Sequence, residues 1–131
     1  MAAKKILIVD DDPGTVTVLE HRFREEGYET CVARDGEEAV TKTREERPDL
    51  IVLDVLLPKL TGYGVMWTLR EDKELALIPL MVISAQEVVK RFFLDLPRVE
   101  FMAKPLDFQA FSEKVCRLIA NVGGSNEVSV T

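Results

Sequence analysis

Two apolar runs, Ile6-Leu7-Ile8-Val9 and Leu50-Ile51-Val52-Leu53, each run directly into aspartate. Asp10-Asp11-Asp12 follow the first and Asp54 follows the second. An uninterrupted apolar run of this length reads as a strand buried on both faces. Such strands belong to an open α/β sheet, and ligands bind in that architecture at the carboxyl ends of the strands. The chain therefore delivers carboxylates to its ligand edge. Carboxylates gathered without compensation repel one another, and a bound cation relieves the repulsion. Asp10, Asp11 and Asp54 are thus expected to form a small, oxygen-lined cation site.

Strand and helix signals alternate along the rest of the chain. A strand over about Lys4 to Val9 precedes a helix with Asp12 as N-cap and Pro13 at its first position. Val16, Leu19 and Phe23 give that helix one apolar face, and Gly27 closes it. Tyr28 to Ala33 reads as the second strand. Asp35 and Glu38 have the spacing of a capping box for a second helix with a thin stripe of Ala39, Val40 and Thr43. After the third strand and a loop from Pro58 to Gly62, a helix carries Val65, Met66 and Leu69. Pro79 introduces the strand Leu80-Met81-Val82-Ile83. Gln86 to about Leu94 is a weaker helical stretch that Pro97 stops. Glu100 to Ala103 is a short fifth strand. The last helix is expected from near Asp107 to about Ala120, with residues 121–131 a disordered tail after Gly123-Gly124.

Five strand–helix units imply α/β architecture: a five-stranded parallel sheet with helices on both faces and right-handed crossovers. The expected strand order is the flavodoxin-like 2-1-3-4-5, with the fourth helix short or irregular. That order sets strands 1 and 3 side by side and brings Asp10, Asp11 and Asp54 together.

Bulk properties bound the rest. The chain has 131 residues, 47% hydrophobic and 31% charged, enough for one domain with a proper core. A net charge of −6 argues against a nucleic-acid surface. No apolar run reaches membrane-spanning length and no signal peptide is visible, so the cytoplasm is the expected compartment. The one histidine, His21, sits in a helical stretch, which argues against a histidine-based triad or zinc site. Cys31 and Cys116 read as two buried thiols, and Met66, Trp67 and Met81 as packing residues.

The other strand ends complete a set. Strand 4 ends in Ser84, and strand 5 ends in Lys104 followed by Pro105. Carboxylates, a hydroxyl and an ammonium on one edge suit a phosphoryl group: the carboxylates hold Mg²⁺, while Lys and Ser bond the phosphoryl oxygens. From Ile6 through Pro13, Pro48 through Asp54, Leu57-Pro58 through Gly62, Ile83-Ser84-Ala85 and Phe101 through Pro105, the chain resembles a receiver domain of bacterial two-component response regulators. The resemblance covers roughly residues 4–120, so 1–120 is expected to be the receiver domain.

The resemblance implies a phosphorylation-dependent switch that accepts a phosphoryl group from a phosphohistidine donor. Asp54 is then the phosphoacceptor. Asp10 and Asp11 hold Mg²⁺ or Mn²⁺, Asp11 most directly, with the backbone carbonyl of Leu56 as a further ligand. Ser84 and Lys104 bind the phosphoryl group, the bond to Pro105 is cis, and Phe101 is the switch aromatic. The partners implied are a histidine kinase or histidine phosphotransfer protein, and a downstream protein or second copy at the face made by the fourth helix, strand 5 and the last helix. No direct contact with nucleic acid or membrane is expected. The protein catalyses only its own phosphorylation and dephosphorylation. Whether it acts alone or within a longer regulator is left open.

Smaller departures from the family pattern are Thr61-Gly62 where Asp-Gly is common and Phe101 where Tyr is commoner; the main ones fall between Ser84 and Lys104. That stretch is short and has Leu94-Asp95-Leu96-Pro97-Arg98 before strand 5. Too many apolar residues (Val88, Val89, Phe92, Phe93, Leu94, Leu96) serve too few core positions, so some are expected to be exposed. Competing readings are an aspartyl-nucleophile phosphatase or phosphotransferase using Asp10-x-Asp12, a flavin module, and a receiver that binds partners without phosphorylation. The first lacks Thr or Val at position 14, and three aspartates after strand 1 would repel a flavin phosphate.

Overall fold

A computed structural model describes residues 3–57, 59, 61–93 and 96–129, with side chains considered through residue 120. Five parallel strands, β1 (Lys5–Val9), β2 (Glu29–Ala33), β3 (Leu50–Asp54), β4 (Leu80–Ser84) and β5 (Val99–Ala103), form one sheet in the order β2-β1-β3-β4-β5. This is the expected order. Ile8 pairs with Val52 and Val9 with Leu53, so the next step of the register sets Asp10 beside Asp54.

Strand side chains alternate between the two faces. Leu7, Val9, Ile51, Leu53 and Val82 point to one face, where α2 (Gly36–Glu46) and α3 (Gly62–Arg70) cover them with Ala39, Val65, Met66 and Leu69. Ile6, Ile8, Leu50, Val52, Met81 and Ile83 point to the other, covered by α1 (Pro13–Glu25) and α4 (Phe108–Ser129) through Leu19, Phe23, Phe111 and Val115. Phe23 and Phe111 meet at 5.8 Å between ring centroids and stitch α1 to α4. Truncating such a ring to alanine costs about 3–5 kcal/mol.

The caps act as their residue types dictate. The Asp12 side chain accepts from the Gly14 N–H and the Thr15 hydroxyl at the start of α1. Gly27 leaves the helix at φ +95°. Asp35 accepts from the Glu38 N–H as expected, but Glu38 returns its carboxylate to the Arg34 N–H, one residue before the cap. The expected reciprocal box is therefore displaced by one residue, because the long Glu side chain reaches the strand exit instead.

Several expectations need correction. Trp67 is 49% exposed, not a packing residue: on α3 it lies off the Val65–Met66–Leu69 stripe. Cys116 on α4 is exposed, while Cys31 is half-buried. The last helix continues to Ser129, past the boundary expected at Ala120. A glycine inside a helix costs only about 1 kcal/mol, which does not by itself end a helix already under way. Between β4 and β5 the chain makes a 3₁₀ segment, Glu87–Phe92, in place of a full helix. This is the irregular fourth helix expected. Within it Val88 and Phe92 are exposed, Val89 is half-buried, and the following Phe93 is in the core. Pro58 and Leu94, both singled out in the sequence, lie outside the described residues.

Candidate functional site

Asp10, Asp11 and Asp54 meet at the carboxyl edge of the sheet, each offering a carboxylate oxygen within 4.8 Å of the others. Asp10 and Asp54 are buried and Asp11 is exposed. Their placement follows from the register of β1 on β3 and from the turn that begins at Asp11. The Asp12 N–H donates to Asp10 Oδ1 at 2.9 Å, and the Leu56 N–H donates to Asp54 Oδ1 at 3.1 Å. In each pair a backbone donor two residues on fixes one oxygen and leaves the other to face the site.

Those second oxygens share a cation. Lys104 Nζ stands 3.4 Å from Asp10 Oδ2 and 3.2 Å from Asp54 Oδ2. Burial alone would lower the lysine pKa, but Asp54 and Asp10 outweigh it and hold the ammonium above its ordinary value. Lys104 reaches the site from the end of β5, just before a cis bond to Pro105. Its N–H donates to the Ser84 carbonyl at 2.9 Å, which ties the ends of β4 and β5 together.

Burial pushes the Asp10 carboxyl up from its ordinary value, and the Asp54 charge adds to this. The Asp12 N–H and Lys104 pull it down without cancelling the rise. One ammonium among three carboxylates leaves the site short of positive charge. An all-oxygen set with a buried, disfavoured anion fits a hard divalent cation such as Mg²⁺.

Asp12 takes no part in this cluster. It is exposed, and the Thr15 hydroxyl and Gly14 N–H lower its pKa as they bond to it as helix cap. The Asp10-x-Asp12 pairing needed for a phosphatase nucleophile and its acid partner is not formed.

Ser84 is 1% exposed at the end of β4, and its Oγ accepts the Gln86 N–H at 3.0 Å. Among the described residues the hydroxyl donates to no acceptor, so its proton is available to a new one. Phe101 pairs with Val82 in the β4–β5 register, so it shares a sheet face with Ser84. It is half-buried and packs against the cluster that includes Phe93, Val89 and Val82. The structure thus brings Asp10, Asp11, Asp54 and Lys104 into one site, with Ser84 and Phe101 on the adjoining strands. Leu56 is 55% exposed at its rim.

Two contributors were not read from the sequence. The Gln86 N–H is one, although its position two residues past Ser84 repeats the spacing of the two aspartate turns. Lys59 is the other: at φ +68° it pairs with Asp35 at 3.6 Å and links the β3–α3 loop to the start of α2. No local pattern announces a contact between residues so far apart in sequence.

Among the described residues no helix is long and apolar enough to cross a membrane. A cavity of about 530 Å³ lies next to the site, lined by Val18, Leu19, Lys104, Pro105, Leu106 and Phe108 among others.

Comparison with known proteins agrees with this geometry. The family model for the response regulator receiver domain matches residues 6–116. The chain is 41% identical over 112 residues to the alkaline phosphatase synthesis transcriptional regulatory protein PhoP of Bacillus subtilis (strain 168), covering 86% of this chain and 47% of that protein. It spans about half the length of the curated relatives it matches. The receiver domain of a signal transduction histidine kinase from Syntrophus aciditrophicus superposes with a TM-score of 0.84 at 33% identity, covering 93% of this chain and 94% of that one. Response regulator protein TrrA from Thermotoga maritima, solved in complex with Mg(2+)-BeF, gives a TM-score of 0.78 at 33% identity, covering 88% of this chain and 98% of that one.

Proposed function

Because the chain belongs to the response regulator receiver domain family of two-component systems, we propose that it is a switch driven by phosphorylation of Asp54. The observation that carries this reading is the position of the Asp54 carboxylate. It is held by the Leu56 N–H, faced by Lys104 at 3.2 Å and flanked by Asp10 and Asp11.

In the proposed reaction an Asp54 carboxylate oxygen forms a bond to phosphorus as the P–N bond of a donor phosphohistidine breaks. The electron pair of that bond leaves with the imidazole nitrogen. Asp10, Asp11, Asp54 and the Leu56 carbonyl would hold Mg²⁺ or Mn²⁺, which would supply positive charge to the phosphoryl oxygens. Lys104 shifts its partnership from the carboxylates to the transferred group. The Ser84 hydroxyl donates to a phosphoryl oxygen and moves toward Asp54. That movement draws on the Gln86 N–H and so on the 3₁₀ segment, and it frees space for the Phe101 ring to turn inward. A phosphoryl group shifts such an equilibrium only by its different contacts in the two states, and Ser84 and Lys104 supply them.

The donor is a histidine kinase or histidine phosphotransfer protein. The apolar cavity bordered by Lys104 and Phe108 adjoins the lysine that faces Asp54, and the reading seats the donor there. The output contact is assigned to the 3₁₀ segment, β5 and α4. The proposed receiver unit ends near Ala120, and its work is self-phosphorylation and self-dephosphorylation in the cytoplasm. The reading gives this chain no nucleic-acid contact of its own; the regulatory names of its relatives belong to proteins about twice its length.

The test is intact-mass measurement after incubation with Mg²⁺ and a small phosphodonor such as phosphoramidate. Wild type gains one phosphoryl group and Asp54→Asn gains none. A full, Mg²⁺-dependent, base-labile gain by Asp54→Asn would overturn the assignment.

A further inference from the structure

The apolar surface of this protein is concentrated where α3 meets the 3₁₀ segment. Tyr63 and Trp67 are four residues apart on α3 and so share a side of it. Their rings meet edge to face at 6.0 Å, and Tyr63 also meets the Phe92 ring at 6.1 Å. The buried Phe93 ring lies beneath, 5.8 Å from Tyr63. This is a ridge built on a core anchor, not scattered side chains. It is nevertheless open: Tyr63 is 39% exposed, Trp67 49%, Phe92 55% and Val88 61%. Among the described residues β5 and α4 present no exposed large apolar side chain. Of the two sides of the 3₁₀ segment, the α3 side therefore carries the exposed aromatic rings, apart from the output face assigned to the segment with β5 and α4.

Charge narrows the occupant. Lys90 and Arg91 stand in the last turn of the 3₁₀ segment, against a single acid, Glu87, in its first. Both are exposed and enter no ion pair among the described residues. Next to Phe92 in sequence, Lys90 and Arg91 put two cations at the 3₁₀ edge of the ridge, while the exposed Glu71, four residues past Trp67, puts one acid at its α3 end. A second copy would bring the same patch, with its own Lys90 and Arg91, to this one, whereas an acidic helix complements those cations. Two neighbouring elements with aromatic side chains between them suit an amphipathic helix laid along the seam.

We propose that the Tyr63–Trp67–Phe92 ridge, with Lys90 and Arg91 at its edge, is a docking surface for an acidic amphipathic helix of a partner protein. The site goes beyond the phosphoacceptor reading and does not require it. Where both hold, the Gln86–Ser84 bond connects them, because Gln86 leads into the segment that carries the ridge.

Trp67 is the only tryptophan and lies within the ridge, so its emission reports occupancy. The probes are two synthetic helical peptides with leucine at the spacing i, i+3, i+4, i+7. One has glutamate at its remaining positions and the other lysine. The glutamate peptide is expected to blue-shift Trp67 emission and the lysine peptide to leave it unchanged. Phe92→Ser weakens the glutamate peptide by about tenfold or more. Lys90→Glu with Arg91→Glu reverses the preference. Thermal melts confirm that these surface variants fold.

Equal binding of both peptides, or indifference to the charge reversal, would overturn the proposal. So would sedimentation showing a dimer that buries Trp67 and is lost in Phe92→Ser, since a second copy would then be the occupant. Intact-mass phosphorylation of Phe92→Ser at the wild-type level separates failure of this surface from failure of the phosphoacceptor reading.

Discussion

The Gln86 N–H donates to the Ser84 hydroxyl oxygen at 3.0 Å, and this one bond connects the floor of the site to the 3₁₀ segment. Ser84 cannot move toward Asp54 without stretching or carrying Gln86. Ser84→Ala removes the acceptor, and because Gln86 is exposed, water takes its place; the expected loss in stability is about 0.5–1 kcal/mol. The variant is expected to accept a phosphoryl group while the change at Phe101 is lost. Phosphorylation-induced NMR shifts around Phe101 equal to those of wild type would refute the coupling.

Gly62 is required for a close approach. A Cβ there would lie 2.7 Å from the Asp54 carbonyl oxygen and 2.8 Å from Val55 Cα, both backbone atoms. Gly62 also donates its N–H to the Val55 carbonyl at 2.9 Å. Gly62→Ala is expected to push the start of α3 away from the end of β3 and destabilise the fold by about 1–3 kcal/mol. Denaturant unfolding measures this. Mg²⁺ affinity falls in the same variant, because the shifted backbone carries Asp54 and Leu56.

Asp10 gives a pH dependence of defined sign. Its folded-state pKa is raised by burial and by Asp54, so the folded protein holds this proton more tightly than the unfolded chain. The stability it contributes is present below the unfolded carboxylate pKa and is lost as pH rises through the folded value. Hydrogen bonds and ion pairs lower the pKa of Asp12, Asp35, Glu46 and Asp72, which slope the opposite way, so the readout is a difference between proteins. In EDTA, the Tm of Asp10→Asn relative to wild type is expected to climb as pH rises above the ordinary carboxylate pKa. Mg²⁺ shrinks that advantage by restoring a counter-charge. A relative Tm flat with pH would contradict the assigned burial of an ionised Asp10.

The Mg²⁺ prediction follows from the same group. Protons compete with the cation for Asp10, so affinity falls, as pH drops, sooner than an ordinary carboxylate would make it fall. Calorimetric titration of wild type and Asp11→Ala checks it. Asp11 is the exposed member of the three carboxylates, so its loss disturbs the fold least, and its removal is expected to weaken binding about tenfold or more. Equal affinity in Asp11→Ala would remove it from the ligand set.

What was legible in the sequence was what single elements dictate. The apolar runs of β1 and β3 fix two buried strands and their aspartate ends. Asp12, Asp35 and Gly27 mark helix ends by chemistry that acts within a few residues. The convergence of Asp10, Asp54 and Lys104 required only the strand order. Contacts between distant side chains were not legible: Lys59 with Asp35, or Arg70 donating to the carbonyls of Ala76, Ile78 and Pro97. Exposure on a helix was misjudged where type was allowed to stand for position, as for Trp67 and Cys116. The surplus of apolar residues after Ser84 announces that some of them are exposed, as Val88 and Phe92 are, but not which face of the segment they form.

The most direct test of the switch is an amide NMR map of the Mg²⁺-loaded protein before and after a small phosphodonor. Large shifts are expected at Ser84, at Gln86 and along Glu87–Phe92, with Phe101 moving in step and Asp54→Asn showing none of them. Full phosphorylation of Asp54 by intact mass, with the resonances of Gln86 and Phe101 unmoved, would contradict the account.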